Sequence, residues 1–390
     1  MQYVTAGESH GPLLSAIVSG VPAGLKVSVA QINADLERRQ SGYGRGARQT
    51  IETDKVKIVS GLRFGKTLGT PIALQVANKD WENWESRMAP CGNAPKDLVR
   101  EVTPRPGHAD LVGALKTNTE DCRDVLERAS ARETAARVAA AGIAKEFLAD
   151  LGVEILSYVN RIGSVELVED EPMIASPDYK PLDIETSEVR CPDSATSEAM
   201  KKEIDKARED GESLGGTFRV VATGLVPGIG DFAEASERLT SQLGAALFSI
   251  PAIKGVEFGI GFEAAKRVGS KVHDPIIHSK KSGFSRLGNN AGGLEGGMSN
   301  GMPLIITAAM KPIPTLAHPL STINMDTLEV EEASKERSDI CAVPACAVVA
   351  ESEVAFVLAR AYLKKFGSDN MSDIKAAIKT YKQRLKTMSS

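Results

Sequence analysis

The sequence predicts an α+β fold that is internally duplicated, with two β-α-β halves packed about a pseudo-two-fold axis. Three observations carry that expectation. The pattern Gly61-Leu62-x-x-Gly65-x-x-x-Gly69-x-Pro71-Ile72 returns as Gly293-Leu294-x-x-Gly297-x-x-x-Gly301-x-Pro303-Leu304. Each copy leads into an apolar run suited to a buried strand, at 72–76 and 304–308. Upstream of each lie, in the same order, a strand, a glycine–proline turn starting at Gly20 or Gly224, and an amphipathic helix. Such an ordered echo marks a repeated supersecondary unit. The expected organisation is one domain over 1–390, with the pseudo-repeat at about 1–80 and 215–310.

Taken in order, residues 13–21 read as a strand, and Ser28 as the N-cap of a helix over 29–39 with Ile32 and Leu36 on one face. The stretch 121–151 is strongly helical. Its small residues (Ala135, Ala136, Ala139, Ala140, Ala144) allow close packing, with Val138, Ile143, Phe147 and Leu148 as apolar contacts. From 165 to 211 the chain turns acidic, polar and proline-containing, which predicts a peripheral excursion. A helix is expected over 235–248 in the second half, and two more, near 352–365 and 372–387, close the chain.

Composition narrows the function. Hydrophobic residues make up 42% and charged residues 25% of 390, the balance of a globular protein with a sizeable core. A formal charge of −4 offers no field for nucleic acid or anionic membranes, while leaving room for a local arginine pocket. No apolar run approaches the ~18 residues of a membrane span, and no basic leader opens the chain, so a cytoplasmic location is expected. The five cysteines are scattered and metal-ligand histidine spacing is absent, so neither a disulfide framework nor a metal site is expected.

Two of the five histidines stand out. His10 lies in Gly7-Glu8-Ser9-His10-Gly11, where flanking glycines leave little cover and predict a tight loop with an exposed ring. His108 lies in Pro104-Arg105-Pro106-Gly107-His108-Ala109-Asp110, a stiffened segment in which Arg105 and Asp110 can tune its charge. Histidine suits proton transfer near neutral pH.

Arginines cluster at Arg38, Arg39, Arg45 and Arg48 around a glycine-rich loop, and at Arg128, Arg132 and Arg137 along the alanine-rich helix; Arg337 lies in Glu336-Arg337-Ser338-Asp339. Guanidinium forks bind phosphate and carboxylate bidentately, so these placements point to an anion site. Glycine clusters at 42–46, 61–69 and 283–301 serve either as turns or as close approaches to a ligand. Gly61 to Thr67 imitates a P-loop, but Ser60 stands where its first glycine belongs, which excludes that reading.

Together these motifs, with the segments Arg128 to Thr134, Asn289 to Gly301 and Met310-Lys311-Pro312-Ile313-Pro314-Thr315, resemble the chorismate synthase family over essentially the whole chain. The resemblance implies a sandwich with helices between antiparallel sheets, assembled as a homotetramer. It implies anti-1,4 elimination of phosphate and a ring C6 hydrogen from 5-enolpyruvylshikimate 3-phosphate to give chorismate, with reduced FMN required but no net redox change. His10 is then the acid at the departing phosphate, His108 the group that protonates or stabilises reduced flavin, and Asp339 the base. Ser9 and Ser130 join the proton network.

By the same resemblance Arg39, Arg45, Arg48, Arg132 and Arg337 hold the substrate's anions. The flavin contacts fall at Ser130, Ala131, Arg132, Ala252, Gly297, Lys311, Pro312, Ile313, Pro314, Thr315 and Arg337. Pro251 stands where some members carry Asn; a backbone contact from Ala252 survives that change. Some relatives reduce their own flavin with a nicotinamide cofactor, but this chain's compact length implies a separate flavin reductase.

Overall fold

The computed structural model describes residues 1–46, 52–168, 184–279, 283–336 and 338–388. Two antiparallel sheets enclose a layer of helices, which is the expected class. The first half runs β1 (Gln2–Ala6), β2 (Leu13–Ser19), α1 (Val29–Gln40), β3 (Val56–Ile58) and β4 (Ile72–Ala77), then α2 (Asp110–Thr117), α3 (Arg123–Ala129) and α4 (Thr134–Asp150). Its strands pair in the order β1-β2-β4-β3. Alternation along β2 turns Leu14, Ala16 and Val18 inward, and Ser28 caps α1 by accepting from Gln31 N.

The second half runs β5 (Glu154–Ile162), β6 (Val165–Glu166), α5 (Ser194–Glu209), β7 (Gly216–Thr223), α6 (Leu239–Phe248), β8 (Ile253–Phe258), β9 (Leu304–Met310), α7 (Val343–Phe366) and α8 (Met371–Met388). Here the order is β8-β9-β7-β5-β6, so β5-β7-β9-β8 repeats the connectivity of the first sheet. Between the sheets α4 packs on β2 and β4, α7 on β5 and β7, and the two helices on each other.

The glycine echo has a physical content. Thr67 Oγ1 donates to Pro22 O and accepts from Leu25 N; Ser299 Oγ donates to Val226 O and accepts from Ile229 N. Each hydroxyl thus ties a two-stranded turn to the glycine–proline loop of its own half. Gly61 and Gly293 adopt φ of 84° and 80°. A methyl there would stand 2.7 Å from Pro71 O and 2.5 Å from Pro303 O, respectively. Gly293→Ala is therefore expected to cost about 1–3 kcal/mol in backbone strain alone, read as a lower thermal midpoint.

Three expectations need correction. The helical stretch 121–151 is broken at Ser130, whose extended backbone (ψ 144°) ends α3 and whose hydroxyl accepts from Arg132 N at 3.3 Å to start a short 3-10 turn. The last helical pair starts earlier than read, because α7 is buried on nearly all sides and shows no amphipathic stripe. The segment 165–211 is not wholly peripheral: Asp193 caps α5, and Met200 and Ile204 enter the main core. Residues 169–183 of that segment lie outside the described residues.

A charged knot sits inside the helix layer. Fully buried Glu351 of α7 accepts from Arg38 at 2.8 and 2.9 Å, from Lys145 at 2.7 Å and from Ser157 at 2.5 Å. Asp35 accepts from Arg38 and Lys145 as well, so α1, α4, β5 and α7 are joined through one cluster.

Candidate active site

A cavity of about 640 Å³ lies where the loop after β1, the α3–α4 junction, the ends of β8 and β9 and the start of α7 meet. That size suits a small-molecule site. Of the residues singled out in the sequence, Ser9, His10, Arg39, Arg45, His108, Ser130, Ala131, Arg132, Ala252, Lys311, Ile313, Pro314, Thr315 and Asp339 all line it. Gly297 and Pro312 do not; the Gly297 carbonyl instead accepts from Leu239 N at the start of α6. Arg48 and Arg337 lie outside the described residues.

His10 is buried rather than exposed, at 6% of its free surface. Glu127 of α3 reaches it twice, accepting from the His10 backbone N at 2.7 Å and lying 2.8 Å from Nδ1. The imidazole stacks on Trp84 with centroids 4.1 Å apart, and Nε2 stands 4.0 Å from the Asp80 carboxylate. Ser9 N donates to Glu127 O, and Ser130 Oγ donates to Ser9 Oγ at 3.1 Å. Burial pushes the Glu127 carboxyl up, but the bonds and charge of His10, together with Arg123, outweigh it and leave the carboxyl lowered.

His108 is organised by its neighbours, as its motif suggested. Its Nδ1 meets Asp110 Oδ1, with Arg105 Nη2 3.0 Å away. Asp110 is fully buried at the first turn of α2 and also accepts from Arg105 Nε at 2.8 Å. Desolvation opposes its charge, yet the bonds and positive charge of His108 and Arg105 hold the carboxyl far below the usual range. Lys311 anchors the same loop through Gly107 O at 2.7 Å; burial, then Lys254, lower its ammonium from the ordinary value.

Arg39 and Arg132 converge on Asp54, at 3.5 and 2.6 Å, with Glu52 3.7 Å from Arg132. Burial foremost, countered by Asp54 and reinforced by Arg132 and Arg45, lowers Arg39 to about 10. Arg45 pairs with Asp339 at 2.8 Å, and Asp339 also accepts from Gly46 N at 2.6 Å. The buried Nε of Arg45 finds no hydrogen-bond partner among the described residues. Three arginines of the same motifs face elsewhere: Arg38 serves Glu351, Arg128 binds the carbonyls of Thr5 and Gly7, and Arg137 pairs with Glu133 and Glu353.

Ile250, Pro251, Ile313, Pro314, Ala345 and Val349 add an apolar wall to the same cavity. Cys346 belongs to it, its thiol pushed up to about 12 by burial and so kept neutral. Ala252, also on this wall, holds a left-handed φ of 70°, and its carbonyl accepts from Lys311 N. Strain of this kind in a non-glycine residue gathers at functional sites.

Glu127, Asp80, Trp84, Glu52, Asp54 and Lys254 were not legible as site residues. They come from segments far along the chain that carry no motif of their own. Among the described residues no group of His, Cys, Asp and Glu could hold a metal ion, and no helix is long and apolar enough to cross a membrane.

A basic cavity with an apolar wall and two carboxylate-held imidazoles suits an enzyme whose substrate is an organic anion. The family model described as chorismate synthase matches residues 1–363. The chorismate synthase of Desulforudis audaxviator (strain MP104C) is 51% identical over 99% of this chain and 98% of its own length. That of Aquifex aeolicus (strain VF5) is 49% identical over 99% and 98%. A solved structure titled as a crystal structure of chorismate synthase superposes with a TM-score of 0.81 at 42% identity, covering 99% of this chain and 98% of that one. The chain belongs to the chorismate synthase family. It is accordingly a lyase of aromatic amino-acid biosynthesis, acting at the step from 5-enolpyruvylshikimate 3-phosphate to chorismate.

Proposed function

We propose that the cavity performs a reduced-FMN-dependent anti-1,4 elimination, removing phosphate and the C6 hydrogen of 5-enolpyruvylshikimate 3-phosphate. The observation that carries this reading is one cavity whose lining joins His10, His108 and Asp339 with Arg39, Arg45 and Arg132 and with an apolar wall. Such a wall in the same cavity as Lys311, Lys254 and His108 fits a flat ring system bearing an anionic tail, with Ser130 to Arg132, Ala252, Lys311 and Ile313 to Thr315 as its holders. When bound, reduced FMN supplies electron density that eases departure of the phosphate.

The protein's own groups do the rest. Arg39, Arg45 and Arg132 orient the phosphate and carboxylates, with Asp54 balancing the buried charge until substrate enters. His10 gives a proton to the departing phosphate. His108, steadied at Nδ1 by Asp110, holds positive charge for the anionic reduced ring. Asp339 receives the proton that leaves the substrate, while Ser9 and Ser130 relay hydrogen bonds to the His10 loop.

The same reading places the enzyme in the cytoplasm as a homotetramer supplied by a separate flavin reductase, and makes the chain one domain of two related halves. Anaerobic incubation with reduced FMN and 5-enolpyruvylshikimate 3-phosphate is expected to release inorganic phosphate and chorismate. Absence of release would end the assignment, and equal release with oxidised FMN would end the requirement for the reduced cofactor.

A further inference from the structure

We infer that Glu127, with Trp84, is the positioning pair that fixes the His10 ring so that Nε2 is the nitrogen that delivers the proton. This rests on the acid role given to His10 above. The geometry is specific. One Glu127 oxygen takes the His10 backbone N at 2.7 Å and the other faces Nδ1 at 2.8 Å, so loop and ring are held by the same carboxylate. With Glu127 ionised, Nδ1 is the donor of that bond, and Nε2 is the ring nitrogen that Glu127 does not engage. Trp84 lies against the imidazole at 29° between planes, which removes ring rotation, and Arg123 stands 5.1 Å from the same indole.

Among the described residues, charged groups reach His10 from two elements and from its own loop. From α3 come Glu127 and Arg123, which contact each other at 3.3 Å, with Glu336 on the far side of Arg123 at 2.8 Å. From the turn after β4 comes Asp80, whose backbone N faces Glu52, and Glu52 in turn approaches Arg132. Glu8 is the acidic neighbour in the loop itself. Carboxylates therefore approach both ring nitrogens, Glu127 at Nδ1 and Asp80 at Nε2. The lowered Glu127 carboxyl agrees with a group that stays ionised while His10 works.

Glu127→Gln keeps the shape, loses the anion and can turn its amide toward Nδ1. It is expected to reduce kcat on the order of 10²-fold with little change in KM, since no substrate contact is removed. Glu127→Asp, which restores the charge on a shorter arm, should recover at least a tenth of the wild-type rate. Trp84→Phe should retain most of the rate and Trp84→Ala should not.

The matching measurement is single-turnover phosphate release in anaerobic reduced FMN, with substrate binding measured separately and near-UV circular dichroism to follow the fold. A Glu127→Gln enzyme that keeps kcat, or loses it with no recovery in Glu127→Asp, overturns the positioning role. Should Glu127→Gln not fold, the Glu127→Asp and Trp84 pair decide the question alone. Loss of the underlying acid role reads differently: His10→Ala would then release phosphate at the wild-type rate, whatever Glu127 does.

Discussion

Replacement of His10 by alanine is expected to reduce phosphate release by about 10²–10⁴-fold while the protein remains folded, the range a positioned acid contributes. Folding should survive because Glu127, the buried group that loses most, keeps the backbone N of residue 10 and the guanidinium of Arg123. Substrate affinity should change little, since Arg39, Arg45 and Arg132 are untouched. The signature is thus a fall in kcat and kcat/KM together. Equilibrium binding of the substrate to His10→Ala, set beside its single-turnover rate, checks both halves of that expectation. An unchanged rate would remove His10 from the chemistry.

The largest effect on stability should come from Glu351. Its carboxylate is wholly buried and holds Arg38, Lys145 and Ser157, with Arg190 3.6 Å away. Removing one member of such a network strands the others, which costs about 3–5 kcal/mol. Glu351→Ala should therefore unfold at markedly lower urea, and Glu351→Gln less so, because an amide still accepts one hydrogen bond.

The pH dependence has a definite sign. Burial alone would raise the Glu351 carboxyl, but Lys145, Arg38 and Arg190 outweigh it and hold it well below its ordinary value of 4.5. A depressed carboxyl contributes fully above the unfolded value and loses that contribution as pH falls below it. Wild-type stability should accordingly fall as acid is added below about pH 4.5, and Glu351→Gln should fall less steeply over that window. Urea midpoints at a series of acidic pH values test it; parallel curves would assign the acid sensitivity elsewhere.

Local information was legible where one stretch of chain sufficed. The Ser28 cap and the inward face of α1 follow from side chains interacting within a few residues of one another. The tight link between His108 and Asp110 could be anticipated for the same reason, being two residues apart. Helix α7 was read short because a stretch buried on every side has no polar face to set its period. The break at Ser130 was missed because a serine inside an alanine-rich run reads as one more tolerated residue. Only the capping of Arg132 N and the contact with Ser9, 121 residues away, show why the chain turns there.

From its sequence alone the protein was legible as a duplicated α+β chain with two candidate proton-transfer histidines and arginine motifs suited to an anion pocket. Those properties reside in motifs, composition and spacing, which are local. Tertiary structure alone decided which arginines face the cavity, sending Arg39, Arg45 and Arg132 inward and Arg38 to Glu351. It also turned His10 from an exposed loop residue into a buried ring held between Glu127, Trp84 and Asp80. The reason is that a buried charge must meet its counter-charge in space, and the partners of His10 lie 70 and 117 positions away, beyond the reach of any motif.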